Sequence, residues 1–288
     1  MKTFFVSKPL QPSRWLFALT GDYLLLASSF VFAAVVGWPA YPASILIAGI
    51  AQHRISIMGH EGAHGLISRN KKVNFWLAQV LCFWPLLIDI KAYRDFHWDH
   101  HRHTGIPGKD PELELKMDLY QVPLSRQKLA ARFVLDLFGA SLREFFMVVT
   151  YFMKRTNPAW PVSFILLSAA ASISTGHPEF FVIFMVSKPT SYWAVFRLRI
   201  YSEHVGTQDT YRVKMNVAQR LLFAPHNTYM HWEHHEHPFV PFWQLPDIRA
   251  YYIDEPVISF SEILSGRNKP GGKKKSIGSD FAIAVSPR

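Results

Sequence analysis

Apolar positions in this chain gather into long blocks separated by short polar ones. Residues 15–37 (WLFALTGDYLLLASSFVFAAVVG) carry only Asp22 as a charge. Their distance into the chain and the lack of an A-x-A-like cleavage site predict a spanning helix rather than a removed signal peptide. After Trp38-Pro39, residues 41–58 (YPASILIAGIAQHRISIM) predict a second span that runs into GHEGAH, so that the two form a hairpin. Residues 161–176 (PVSFILLSAAASISTG) and 179–196 (EFFVIFMVSKPTSYWAVF) predict a second hairpin around His177-Pro178, with Lys188-Pro189 interrupting its last helix. Residues 75–90 (FWLAQVLCFWPLLIDI) are apolar but short and contain Pro85 and Asp89, which predicts a re-entrant or interfacial piece. The expectation is an all-α integral membrane fold over residues 1–265, with four spans in two hairpins. The remaining 266–288 are rich in Gly, Lys and Ser and read as a basic, disordered tail without a catalytic role.

Charge then orients the spans. Lys2, Lys8 and Arg14 precede the first, Arg69, Lys71 and Lys72 follow the second, Lys154 and Arg155 precede the third, and Arg197 and Arg199 follow the fourth. The positive-inside rule makes all these ends cytoplasmic, together with both termini. A segment 75–90 lying between histidine groups that share a side cannot cross once; it must dip or lie flat. The composition agrees with a membrane protein: 49% of the 288 residues are hydrophobic and 15% aromatic, and mean hydropathy is +0.06. A net charge of +10 fits an anionic membrane surface or an acidic protein partner, and beside such hydrophobic segments it is not read as a nucleic-acid signature. The single Cys82 excludes an internal disulfide and a four-cysteine iron–sulfur cluster. Asp22, placed in a span, calls for a partner.

The candidate chemistry lies in 14 histidines, and above all in their spacing. His60 and His64 stand at i, i+4; His97, His100 and His101 at i, i+3, i+4; His231, His234 and His235 repeat that pattern within the shared skeleton HWDHHRH and HWEHHEH. On helices each box becomes a comb of imidazoles pointing one way, suited to holding metal through ring nitrogens. One histidine on an apolar helix is ordinarily a core or surface residue. Three boxes beside expected cytoplasmic helix ends are not explained by packing, because eight buried imidazoles need something to coordinate. Zinc takes four ligands and iron up to six, so eight call for two metals with open positions. Asp99 and Glu233 point away from the comb and are expected to orient ligands from behind. His103 and His237 also project away, and Trp98 and Trp232 are expected to pack behind the ligand helices.

The motifs H60-EGA-H64, H97-WD-H100-H101 and H231-WE-H234-H235 resemble the HxxxH, HxxHH and HxxHH boxes of the membrane fatty acid desaturase/hydroxylase superfamily. Asp110-Pro111-Glu112 is similar to that group's acidic DP turn, and the run from Asn227 to Pro246 is similar to its N-x-x-x-H-x-x-H-H…L-P ending. Glu203-His204 resembles an extra histidine that several members place after the fourth span. The resemblance implies nine ligands: His60, His64, His97, His100, His101, His204, His231, His234 and His235. It makes Asp110, Asn227 and Glu203, with Asp99 and Glu233, the neighbours that support them. It also implies a cytoplasmic helical cap holding two non-haem irons, O2 as co-substrate, and a channel for a lipid-like substrate. Removal of one hydrogen from each of two adjacent, unactivated C–H bonds would give an alkene, and oxygen rebound after the first removal an alcohol.

The leading expectation is a fatty acyl desaturase. The first alternative is a hydroxylase or carotenoid-ketolase-type monooxygenase of the same superfamily, because HHRHTGIPGKDP resembles ketolases apart from its GIPG insertion. The second, from another class, is a histidine-rich metal transporter or sensor. No HPGG-type cytochrome b5 segment, four-cysteine cluster or GxGxxG loop is present in the sequence. Electrons are expected from an external donor of the ferredoxin or cytochrome b5 type, docked on basic surface. Arg197 and Arg199 read as interfacial anchors, His53 as packed or supporting the centre, and His177 and His226 as structural or exposed.

Overall fold

A computed structural model of the chain describes residues 8–115, 124–205, 207 and 209–265. The expected tail and Lys2 lie outside these residues. The described chain is mostly helical. Helix α1 (Pro12–Val36) is followed by α2 (Tyr41–Ala63), α3 (Lys71–Ala78), α4 (Ile90–His103), α5 (Pro111–Leu115), α6 (Arg126–Leu137), α7 (Leu142–Met153) and α8 (Ala159–Ser174). Then come α9 (Glu179–Ser187), α10 (Trp193–His204), α11 (Val217–Phe223), α12 (His231–Glu236), α13 (Leu245–Tyr251) and α14 (Phe260–Leu264). One short parallel pair joins β1 (Val213–Lys214) to β2 (Ile258–Ser259), with Val213 opposite Ile258.

The apolar helices pair as the sequence predicts. In the first hairpin, Trp15 donates its indole N–H to the Met58 carbonyl at 2.9 Å. The second hairpin docks on α2 through Gln52, which donates to the Phe184 carbonyl at 3.1 Å and to Ser187 Oγ at 2.6 Å. Close approach there depends on Gly49, where an added Cβ would lie 2.5 Å from the Tyr192 nitrogen. Lys188-Pro189 does not end the helix. It opens a π-turn, Lys188–Tyr192, through which α9 continues directly into α10 as far as His204.

Among the described residues, one helix, α1, is long and apolar enough by itself to cross a membrane, and α8 is apolar but shorter. The other two expected spans carry polar residues that satisfy one another inside the bundle. Asp22 is fully buried and accepts from Arg54 Nε at 2.5 Å and from His226 Nε2 at 2.8 Å, which supplies the partner that the sequence left open. Arg197 is not an interfacial anchor: it is 3% exposed, with contacts to Asp136 at 2.6 Å and Glu144 at 2.8 Å. Arg199 likewise turns inward, 3.4 Å from Glu203.

Residues 75–90 do not form a straight crossing. Asn70 caps α3 by accepting from Lys72 and Val73, and a π-turn follows at Gln79–Phe83. The chain then reverses through Leu87, whose φ is +66°. Asp89 caps α4 by accepting from Lys91. This reversal returns α4 to the end of α2 that carries the first histidine box. Gly62 lets α3 pack beneath that box, since a Cβ there would lie 2.3 Å from that of Ala78.

Candidate metal centre

The centre forms where four helical ends meet. α2 delivers His60 near its end and His64 at its C-cap, α4 delivers its last turns, α10 ends in His204, and α12 is little more than the third box. All nine expected histidines gather there in two groups. His60, His64, His97, His101 and His234 form the first, and His100, His204, His231 and His235 the second. Within each group one nitrogen from every ring lies within 4.8 Å of the others.

The boxes are therefore not combs aimed at a single point. His97 and His101, at i and i+4, enter the first group while His100 crosses to the second; His231 and His235 enter the second while His234 crosses to the first. Successive helical residues differ by about 100° in direction, so i+3 and i+4 diverge enough to serve separate points. Two such boxes, each giving two rings to one point and one to the other, interlock.

In the first group Nε2 of His97 is 2.8 Å from that of His60, 2.9 Å from that of His64 and 3.0 Å from that of His101. His101 Nε2 is in turn 3.1 Å from His234 Nε2. One ring nitrogen carries at most one proton and cannot hydrogen-bond to three others at once. Nitrogens bound about 2.1 Å from one ion at right angles would lie about 3.0 Å apart, so the spacing fits a coordination sphere. Burial, reinforced by neighbouring rings, holds His64, His97 and His234 well below the ordinary imidazole pKa. Neutral rings are the form that binds metal.

The second group is held by its outer nitrogens. His100 donates from Nδ1 to Asp110 Oδ1 at 2.9 Å, and His204 from Nδ1 to the Asp209 carbonyl at 3.2 Å. Thr104 gives its hydroxyl proton to the His100 carbonyl at 2.7 Å and so accepts, at 3.5 Å, from Nδ1 of His235. These contacts turn Nε2 inward. Nε2 of His204 lies 3.1 Å from that of His231, and the buried Nε2 of His235 has no hydrogen-bond partner. An orphaned lone pair aimed into such a cluster fits a cation. Asp110 also accepts from the backbone N–H groups of Gly105 and Glu112. Burial works against its charge, yet the His100 and Gly105 hydrogen bonds hold its carboxyl below the usual range.

The other expected supporting residues divide. Asp99 does not orient ligands: it is exposed and pairs with Arg102 at 3.1 Å. Glu233 is fully buried and accepts from Arg212 at 2.8 Å and from Arg249 at 2.6 and 3.0 Å, fixing the helix rather than a ring. Glu203 comes within 3.8 Å of His231 Nε2. Asn227, with φ of +59°, donates to the Phe242 carbonyl and braces the loop before the third box. Trp98 packs against the rings of His64 and His101, while Trp232 packs on Tyr252. His103 and His237 stay out of both groups, bonded to the Asp99 carbonyl and the Tyr252 hydroxyl. His53 is packed in the core and donates to the Phe223 carbonyl. His177 bonds Glu179.

A cavity of about 420 Å³ opens onto this centre, touching His60, His97, His231 and His234. Its walls are mostly aliphatic and aromatic, from Phe83, Phe152, Ile165, Met185 and Phe196 among others. Sequence reasoning missed its polar lining. Glu61 is buried there and accepts from the Phe242 N–H. Lys188 and Arg199 also reach the wall. A charge inside an expected span was the available signal for Lys188; nothing local marked Glu61.

The profile of the fatty acid desaturase family matches residues 36–257. A zeaxanthin 4-ketolase of Chlamydomonas reinhardtii is 28% identical over 67% of this chain and 40% of its own length. A dihydrorhizobitoxine desaturase of Bradyrhizobium elkanii is 24% identical over 82% of this chain and 74% of its own. An sn-1 acyl-lipid omega-3 desaturase (ferredoxin) of Synechocystis is 31% identical over 37% of this chain and 28% of its own. The chain thus spans less than half the length of the ketolase it matches.

Proposed function

The chain belongs to the fatty acid desaturase family, and on that premise we propose that it is an O2-dependent membrane oxidoreductase that binds two iron ions and desaturates a lipid-like chain. The observation that carries this reading is the division of nine imidazoles into two groups facing one apolar cavity. In it His60, His64, His97, His101 and His234 hold one ion, and His100, His204, His231 and His235 the other. Two reduced irons supply O2 activation and removal of hydrogen from an unactivated C–H bond. The chain's own residues supply the rest. Asp110, Thr104 and the Asp209 carbonyl keep Nδ1 protonated and Nε2 available, burial keeps the rings neutral, and the aromatic walls orient the substrate and exclude water. The cavity volume falls in the range of small-molecule sites.

A membrane setting for α1, α2, α8 and α9–α10 is part of this proposal, with the centre on the cytoplasmic side. It is supported by large apolar side chains facing outward, such as Phe17 at 83% exposure and Ile173 at 68%. An external donor of the ferredoxin or cytochrome b5 type completes it. Arg69, Lys71, Lys91 and Arg94 ring a surface depression that reaches His64, and electron delivery there should weaken as salt rises.

Oxygen insertion, as in a hydroxylase or ketolase, is the second reading. It is favoured by the ketolase match over two thirds of the chain and by the loop after the second box. There Gly105 and Gly108 (φ +70° and +75°) let the GIPG insertion turn so that Asp110 still reaches His100. Expression with a ferredoxin system under ¹⁸O2, followed by mass spectrometry, separates the two. A product two mass units lighter and unlabelled means desaturation; incorporated ¹⁸O means oxygen insertion; no O2-dependent product defeats both.

A further inference from the structure

Lys188 is a buried amine with no anion beside it. It is 6% exposed, in the π-turn of the helix that runs from Glu179 to His204, and it forms part of the cavity wall. Its Nζ donates to Gln52 Oε1 at 2.8 Å and to the Pro85 carbonyl at 2.7 Å, and lies 4.3 Å above the Phe184 ring. These two neutral acceptors leave the third position on Nζ uncommitted, an N–H when the amine is charged and a lone pair when it is neutral. Among the described residues no carboxylate comes within ion-pair distance of it. Arg197 and Arg212, the other buried cations described, each reach a carboxylate. A lone buried charge is costly, so Lys188 either sheds its proton or takes a counterpart, and of the three it is the one that borders the cavity.

Its partner Gln52 stands on the same helix as His60, eight residues earlier, which at about 1.5 Å each is roughly 12 Å along the helix axis. We propose that Lys188 anchors the oxygen-bearing end of an elongated, otherwise apolar substrate, holding a hydroxyl, carbonyl or carboxylate oxygen beside Gln52, about two turns of α2 before His60. The inference rests on the cavity being the substrate channel, as argued above. A plain methyl end placed here would leave that third position of Nζ unsatisfied.

The test is binding to the full chain in detergent, read as the ligand-induced rise in Tm across a concentration series of tetradecane, tetradecanol and tetradecanoate. The wild type should prefer an oxygenated probe over the hydrocarbon by about tenfold or more, the size of a charge-assisted hydrogen bond. Lys188→Met, matched in length but without donor or charge, should lose that preference. Lys188→Gln should keep it for tetradecanol if a neutral oxygen is the ligand, and lose it for tetradecanoate if charge is. Equal binding of all three probes by the wild type overturns the proposal without any variant, and so does a preference that survives in Lys188→Met. Because the readout does not need turnover, it separates two failures. Lys188-dependent binding without any O2-dependent product removes the redox reading; turnover with binding indifferent to Lys188 removes the anchor.

Discussion

The heptapeptide at 97–103 closes a 14-residue helix and turns Asp99 to solvent, whereas the one at 231–237 contains the whole of a 6-residue helix and buries Glu233 against two arginines. The skeleton is the same and the surroundings differ. α4 is capped by Asp89 and long enough to hold its own geometry, so Asp99 is left to an exposed pair with Arg102. α12 has no side-chain cap and is too short to be stable alone. It is tied by Glu233 to Arg212 and Arg249, which also bond the carbonyls of Glu255 and Val213 and so fasten the box to the C-terminal helices. The tryptophans follow suit: Trp98 braces two rings of the first group, Trp232 the ring of Tyr252. A position in a repeated motif acquires its role from what packs against it.

The largest expected effect ignores that difference. His100→Ala and His234→Ala, one from each heptapeptide and each crossing to the other box's group, should abolish turnover and lower metal content measured by elemental analysis. His103→Ala and His237→Ala should leave the metal in place; equal loss at all four positions would erase the division between ligand and outer faces. Next in size, Glu233→Ala leaves the Arg212 and Arg249 guanidiniums facing an empty site and should destabilise the protein by about 3–5 kcal/mol in denaturant unfolding. Asp110→Asn should weaken metal binding by about 10–100-fold, by releasing the His100 ring; titration with metal would show the loss confined to one of two sites. Smallest of all, Asp99→Ala should shift stability by no more than about 0.5 kcal/mol. A change there as large as at Glu233 would break the contrast between the two copies.

Much of the centre was legible because helical spacing is local. Boxes of i, i+3, i+4 histidines identify themselves wherever a helix forms, and the two apolar hairpins followed from block hydropathy. Four other features did not follow: the assignment of Asp99 and Glu233 to one role, the placing of Arg197 and Arg199 at an interface, the missing partner of Asp22, and the polar lining of the cavity. Each turns on contacts between residues far apart in the chain. Asp22 meets His226, and Lys188 meets Gln52; no periodicity encodes such a meeting.

The sequence alone therefore determined which side chains could serve a metal pair and on which helices they ride, since about 100° per residue is a property of the backbone. Only the tertiary structure decided how nine rings divide into five and four, which acid steadies a ligand and which a helix, and where an unpaired lysine meets the cavity. Those outcomes depend on which helix ends converge and which charges lose water together, and burial of that kind exists only once distant segments have packed.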